Sequence, residues 1–206
     1  MPTPAWFFGF DSLMEFIAFT IAIAVAYQAL KGYRLSKERT LLYLNLSFVL
    51  LGAGLLIEGL SNLVVVLARF HRGFLILAPI GYTINFITQV LAYGVLIFTY
   101  VQQTRKMGVE VAMAAVPLLL FERNAFTELI LIFLLAYIAI QTLINYSINK
   151  TTTSLLVLGA FVSLVLSHMF FLLFTLAPLF FAFAHIAQLF GFLLLLAMLL
   201  RVNQPT

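Results

Sequence analysis

The chain has no cysteine and little charge. Without cysteine there can be no disulfide, no thiolate metal ligand and no iron–sulfur cluster. Charged residues make up 9% of the 206, against roughly 25% in a soluble domain. Hydrophobic residues make up 64%, and the mean hydropathy is +1.14. A chain this short cannot hide so much apolar surface in a core of its own. A soluble fold is therefore excluded, and lipid is the expected solvent for most of the sequence.

Other absences narrow the function. No H-x-x-x-H or HExxH pattern is present, and there is no internal repeat, low-complexity linker or soluble domain. The start, Met1-Pro2-Thr3-Pro4-Ala5-Trp6, lacks the basic region of a cleavable signal peptide, so Trp6, Phe7 and Phe8 read as interfacial anchors of a first helix. The lysines, Lys31, Lys37, Lys106 and Lys150, all fall in expected loops. None is available for a retinal Schiff base in a last helix, so retinal binding is not expected. The net charge of +4 is spread over loops, which fits membrane orientation and does not point to nucleic acid.

What is present is a series of apolar runs, each near the 20 or so residues that a helix needs to cross the hydrocarbon. They predict an all-α polytopic bundle, a single membrane domain in the cell membrane. Its helices are expected at about 8–30, 40–69, 74–103, 107–121, 125–148, 154–176 and 179–202. The fourth run is short and holds Glu110 and Pro117; it reads as a crossing or as an interfacial segment, giving seven helices or six. In the seven-helix reading with the N-terminus outside, eight basic residues (Lys31, Arg34, Lys37, Arg39, Arg105, Lys106, Lys150, Arg201) face inward and three (Arg69, Arg72, Arg123) face outward. The six-helix reading gives seven against four. Both favour an outer N-terminus, and seven helices place the C-terminus in the cytoplasm.

Ionisable groups inside a crossing helix cost about 2.5–3.5 kcal/mol on insertion scales and usually face the bundle interior. Counting about 1.5 Å per residue from the outer end puts His168, His185, Glu15, Glu58, Asn62, Tyr82 and Asn85 roughly 9–16 Å deep, in one layer. Gln188 lies one turn beyond His185, and Asp11 lies one turn before Glu15, near the outer surface. Glu128 falls in a first turn, where it suits the helix dipole. Tyr137, Gln141 and Asn145 form a second polar stripe leading inward. Any of these residues could instead simply tie helices together, at about 0.6 kcal/mol per contact.

The layer permits several chemistries. Glu58, Asn62, Tyr82, Asn85 and Gln188 could line a ligand pocket open to the outside. His168, His185, Glu58 and Glu15 could hold a metal ion, since imidazole and carboxylate are common ligands. A haem between the two histidines is an alternative, although the 8–10 Å between adjacent helices is tight for it. His71 is too near the surface to add a ligand. The leading expectation is a non-enzymatic protein that binds a small ligand, proton or metal ion, as a sensor or in transport. The alternatives are a metal- or haem-dependent redox protein or enzyme, and a structural subunit with a membrane-protein partner or a second copy of itself.

Overall fold

The computed structural model describes residues 5–68, 74–105, 125–174 and 176–203. Among these residues there are six helices and no strand. They are α1 (Ala5–Ser36), α2 (Arg39–Leu67), α3 (Leu77–Arg105), α4 (Ala125–Asn149), α5 (Thr152–Leu173) and α6 (Leu179–Val202). The shortest has 22 residues and the longest 32, or about 33 to 48 Å at 1.5 Å per residue. All six are long and apolar enough to cross a membrane, which is the build of a multi-pass membrane protein. The crossing expected at 107–121, His71, Arg69, Arg72 and Arg123 lie outside the described residues.

Local sequence sets the helix ends. α1 runs six residues past its expected end and stops at Ser36, where Lys37 takes a left-handed φ of 60°. Lys150 ends α4 in the same way, with φ 47°. Each closes its helix by donating its N–H four residues back, to Tyr33 and Tyr146, at 2.8 Å. At the start of α5, Thr151 and Ser154 cap each other's backbone N–H reciprocally. Pro79 sits in the first turn of α3, where the missing N–H costs nothing. Pro178 stands at the N-cap of α6, so the α5–α6 hairpin turns where Ala177-Pro178 predicts it.

The helices close into a ring in chain order. α1 packs on α2, α2 on α3, and so on to α6, which packs back on α1. Small residues allow the closest approaches. A Cβ on Gly59 would meet the Cβ of Glu15 at 3.2 Å, and Ser12 Oγ donates to Gly59 O at 2.8 Å across the same seam. A Cβ on Gly191 would meet Ala160 O at 2.9 Å, so α5 and α6 touch almost backbone to backbone, as small residues permit in membrane bundles. Side chains fill the ring. Phe48 of α2 meets Phe192 of α6 with ring centroids 5.4 Å apart, amid buried Leu51, Leu55, Leu131, Leu135, Ile138, Leu164 and Leu195.

The outside is as apolar as the inside. Tyr27, Leu60, Leu91, Phe133, Leu155 and Phe190, one on each helix, are exposed, a surface suited to lipid.

Chain direction follows from the contacts. α1 and α6 start at one end of the ring, where Asp11 meets His185. They finish at the other, where Asn203 Nδ2 donates to Gln28 O at 2.8 Å. α3 and α4 also run in the same direction, since Tyr82 and Thr127, near their starts, meet at 2.6 Å. The described chain thus begins and ends at opposite ends of the bundle. The described lysines and arginines all lie at the end where α1 and α6 finish, on or beside the ends of α1, α2, α3, α4 and α6.

Candidate functional site

The end at which α1 starts is rich in buried acid. Asp11, Glu15, Glu58 and Glu128 are each no more than 3% exposed, as are His168 and His185. Every helix contributes to this layer, because the up-and-down ring brings the first turns of α1, α3, α4 and α6 level with the last turns of α2 and α5.

Asp11 is the hub of one contact. His185 Nε2 donates to its Oδ1 at 3.0 Å, and Asn62 Nδ2 donates to its Oδ2 at 2.9 Å. The carboxylate thus joins α1, α2 and α6. Glu15 lies one turn on, on the same face of α1 by i, i+4 spacing. Asp11, Glu15 and His185 each bring one ligand atom within 4.8 Å of the other two.

The second contact joins α3, α4 and α5. His168 Nδ1 donates to Glu128 Oε2 at 2.8 Å. The hydroxyl of Tyr82 reaches Glu128 Oε1 at 3.5 Å and shares a 2.6 Å hydrogen bond with Thr127 Oγ1. The ring of Tyr93 stands edge-on to His168, at 6.4 Å. Between these groups, Asn85 Nδ2 donates to Glu58 Oε2 across the α2–α3 seam. Gly54 and Gly81 bring that seam together. A Cβ on Gly54 would meet Asn85 Oδ1 at 2.6 Å, and one on Gly81 would meet Ser61 at 2.6 Å and Glu58 Cα at 3.2 Å.

Phenylalanines surround the layer. The rings of Phe10, Phe171 and Phe181 stand edge-on to His185 at 5.9, 5.1 and 4.6 Å. Phe171 also packs on His168, at 6.0 Å, so one ring touches both histidines. Phe7 and Phe174 extend this aromatic cluster over the ends of α1 and α5. The polar groups are buried, whereas the sequence predicts a pocket open to the outside. A haem macrocycle beside His185 would have to displace at least one of these rings.

The polar layer expected from depth is present as a set of contacts, with a different pairing. His168, His185 and Glu58, grouped in the sequence with Glu15 as candidate metal ligands, each hydrogen-bond a different residue, Glu128, Asp11 and Asn85 respectively. Asp11 and Glu128, expected near the surface, are the acids that receive the histidines. Both lie in the early turns of their helices, but the ring rotates them inward. Burial of Glu128, Leu131, Leu135, Ile138 and Thr142 at i+3 and i+4 steps marks the inner face of α4, a face the sequence does not single out because α4 is apolar on its other sides as well. Gln141 is only half-buried and Asn145 is exposed, so the expected second stripe lies off that face. Gln188 is 5% exposed and lies on the same face as His185. Asn85 Oδ1, Gln89 Oε1, Ser167 Oγ and Gln188 Oε1 are buried with no hydrogen-bond partner among the described residues. Such atoms are candidates for bonding a ligand or water.

Comparison with family models, with curated proteins and with solved structures found no match to this chain.

Proposed function

We propose that this multi-pass membrane protein binds a small cation, either a proton or a metal ion, in its acid–histidine layer, as a sensor or in transport. The observation that carries this reading is the convergence of Asp11, Glu15 and His185, all buried, with ligand atoms within 4.8 Å of one another. Carboxylate and imidazole are groups that bind protons and metals. A buried, acid-rich layer also attracts positive charge more strongly than the same groups in water. Glu58, Asn62, Tyr82, Asn85 and Gln188 supply the surrounding polar contacts. The aromatic cluster makes access conditional on movement of phenylalanine side chains.

Orientation belongs to the same proposal. The basic end faces the cytoplasm by the positive-inside rule, which puts the acid–histidine layer and the N-terminus on the outer side. Parity supports seven crossings. α3 finishes at the basic end and α4 starts at the acidic end, which favours the seven-crossing reading over the six-crossing one.

The test is thermal unfolding of purified protein across a panel of monovalent and divalent cations and across pH. A bound cation stabilises the folded state by mass action, by about 2.7 kcal/mol at one hundred times its Kd. One cation, or acid, is expected to raise the melting temperature by several degrees in the wild type, and not in a Glu15→Gln, Asp11→Asn double variant. A melting temperature indifferent to every cation and to pH would overturn the reading and leave a structural subunit as the better account.

A further inference from the structure

We infer that Asp11, Glu15 and His185 form a site for one divalent first-row transition-metal ion; this rests on the cation-binding reading above and names the class of cation. Two ligands that share a zinc-sized ion at about 2.0–2.2 Å can stand no more than about 4.4 Å apart. The three ligand atoms lie within 4.8 Å of one another, so sub-ångström movement closes the site. Asp11 and Glu15 come from one face of α1 and His185 from α6. These two helices are held side by side along their length, with Asn203 tied to Gln28 at the far end. The site therefore sits between two fixed elements.

The donor set selects the ion. Two carboxylates and one imidazole suit Zn²⁺, Mn²⁺, Fe²⁺ or Co²⁺. Ca²⁺ and Mg²⁺ prefer all-oxygen shells, and Cu⁺ prefers sulfur, whereas this triad offers oxygen and nitrogen. Two further observations point to a bound ion. Asn62 Nδ2 donates to Asp11 Oδ2 at 2.9 Å and, as an outer hydrogen bond, orients the carboxylate; the 3.0 Å contact of Oδ1 with His185 is the one an ion would replace, taking the place of the proton between them. Gln188, buried and one turn from His185 on the same face of α6, has an Oε1 with no hydrogen-bond partner among the described residues. It is a candidate fourth donor. Asn62 is a positioning residue and touches no metal itself. His168 and Glu128 lie outside the triad.

The experiment is Co²⁺ titration of chelator-treated full-length protein in detergent, followed by its visible ligand-field absorption. One equivalent of Co²⁺ should bind and be displaced by Zn²⁺. Glu15→Gln should weaken binding at least tenfold, and Asn62→Ala by about 10-fold or more, while Tyr27→Phe, on the exposed face of α1, should leave it unchanged. Binding should weaken as the pH falls, because protons compete for the same ligands. A wild-type measurement covers the case in which variants fail to fold. Pulsed electron paramagnetic resonance of bound Mn²⁺ should detect one imidazole nitrogen. No Co²⁺ uptake, no coordinated imidazole, or two imidazoles would each overturn the inference. Stabilisation by acid or a monovalent ion without Co²⁺ uptake would overturn the transition-metal site alone and leave the cation-binding reading standing. Indifference to all of them would remove both.

Discussion

Asp11 and His185 lie 174 positions apart in sequence and meet at 3.0 Å. Their contact joins the first described helix to the last and closes the ring at its acidic end. Both groups are buried, so neither can fall back on water when the other is removed. Asp11→Ala or His185→Ala alone should destabilise the protein by about 3–5 kcal/mol. The double variant should cost clearly less than the sum of the two, because it leaves no orphaned partner. Chemical unfolding of the four proteins, analysed as a double-mutant cycle, reads the coupling. Additive losses would mean that the pair contributes no interaction of its own.

Glycine packing predicts effects of opposite sign. At Gly54 an added Cβ would meet Thr88 Oγ1 at 2.0 Å and Asn85 Cα at 3.0 Å, whereas at Gly94 it would meet nothing within 4 Å. Gly54→Ala should cost about 1–3 kcal/mol through overpacking and should push Asn85 away from Glu58. Gly94→Ala should stabilise by about 0.5–1 kcal/mol, since alanine is the better helix former. Thermal unfolding of the two variants separates these signs.

Much of this architecture was legible in the sequence. Apolar runs bounded by Lys/Arg loops and by Ala177-Pro178 located the helices to within a few residues, because lipid imposes a nearly fixed length on each. Depth counting gathered Glu58, Asn62, Tyr82, Asn85, His168 and His185 into one layer, because rise per residue is constant. Rotation was less legible. Helices that are apolar all round carry little directional signal, so the inward turn of Asp11 and Glu128 did not show in composition. Pairing was not legible either, because the ring order of neighbours decides which carboxylate meets which imidazole. α1's extension to Ser36 was missed for another reason: Lys31 and Arg34 read as loop residues, but a helix can continue beyond the lipid with its charges in water.

Lys37 and Lys150 hold left-handed backbone at φ 60° and 47°, where glycine is free of the Cβ penalty. Lys37→Gly should stabilise by up to about 1 kcal/mol, raising the melting temperature without altering cation response. Loss of stability would show that the lysine side chain contributes more than its backbone conformation costs.

Topology can be read directly, because the native chain has no cysteine to interfere with labelling. Gln102 and Ala125 are exposed and flank the undescribed segment. In intact cells a membrane-impermeant maleimide should label Ala125→Cys and Leu176→Cys from outside. Gln102→Cys, Glu38→Cys and Val202→Cys should label only after permeabilisation. Labelling of Gln102→Cys and Ala125→Cys from the same side would show that 106–124 does not cross.

The central claim is that buried carboxyl groups at this end bind a cation, and infrared difference spectroscopy tests it most directly, since carboxylic acid and carboxylate absorb at separate frequencies. Addition of the cation that raises the melting temperature to membrane-reconstituted protein should perturb carboxyl bands that are lost in Glu15→Gln and Asp11→Asn. If the stabilising cation is the proton, acidification should produce those bands instead. Difference spectra with no carboxyl component, or with one that persists unchanged in both variants, would contradict the account.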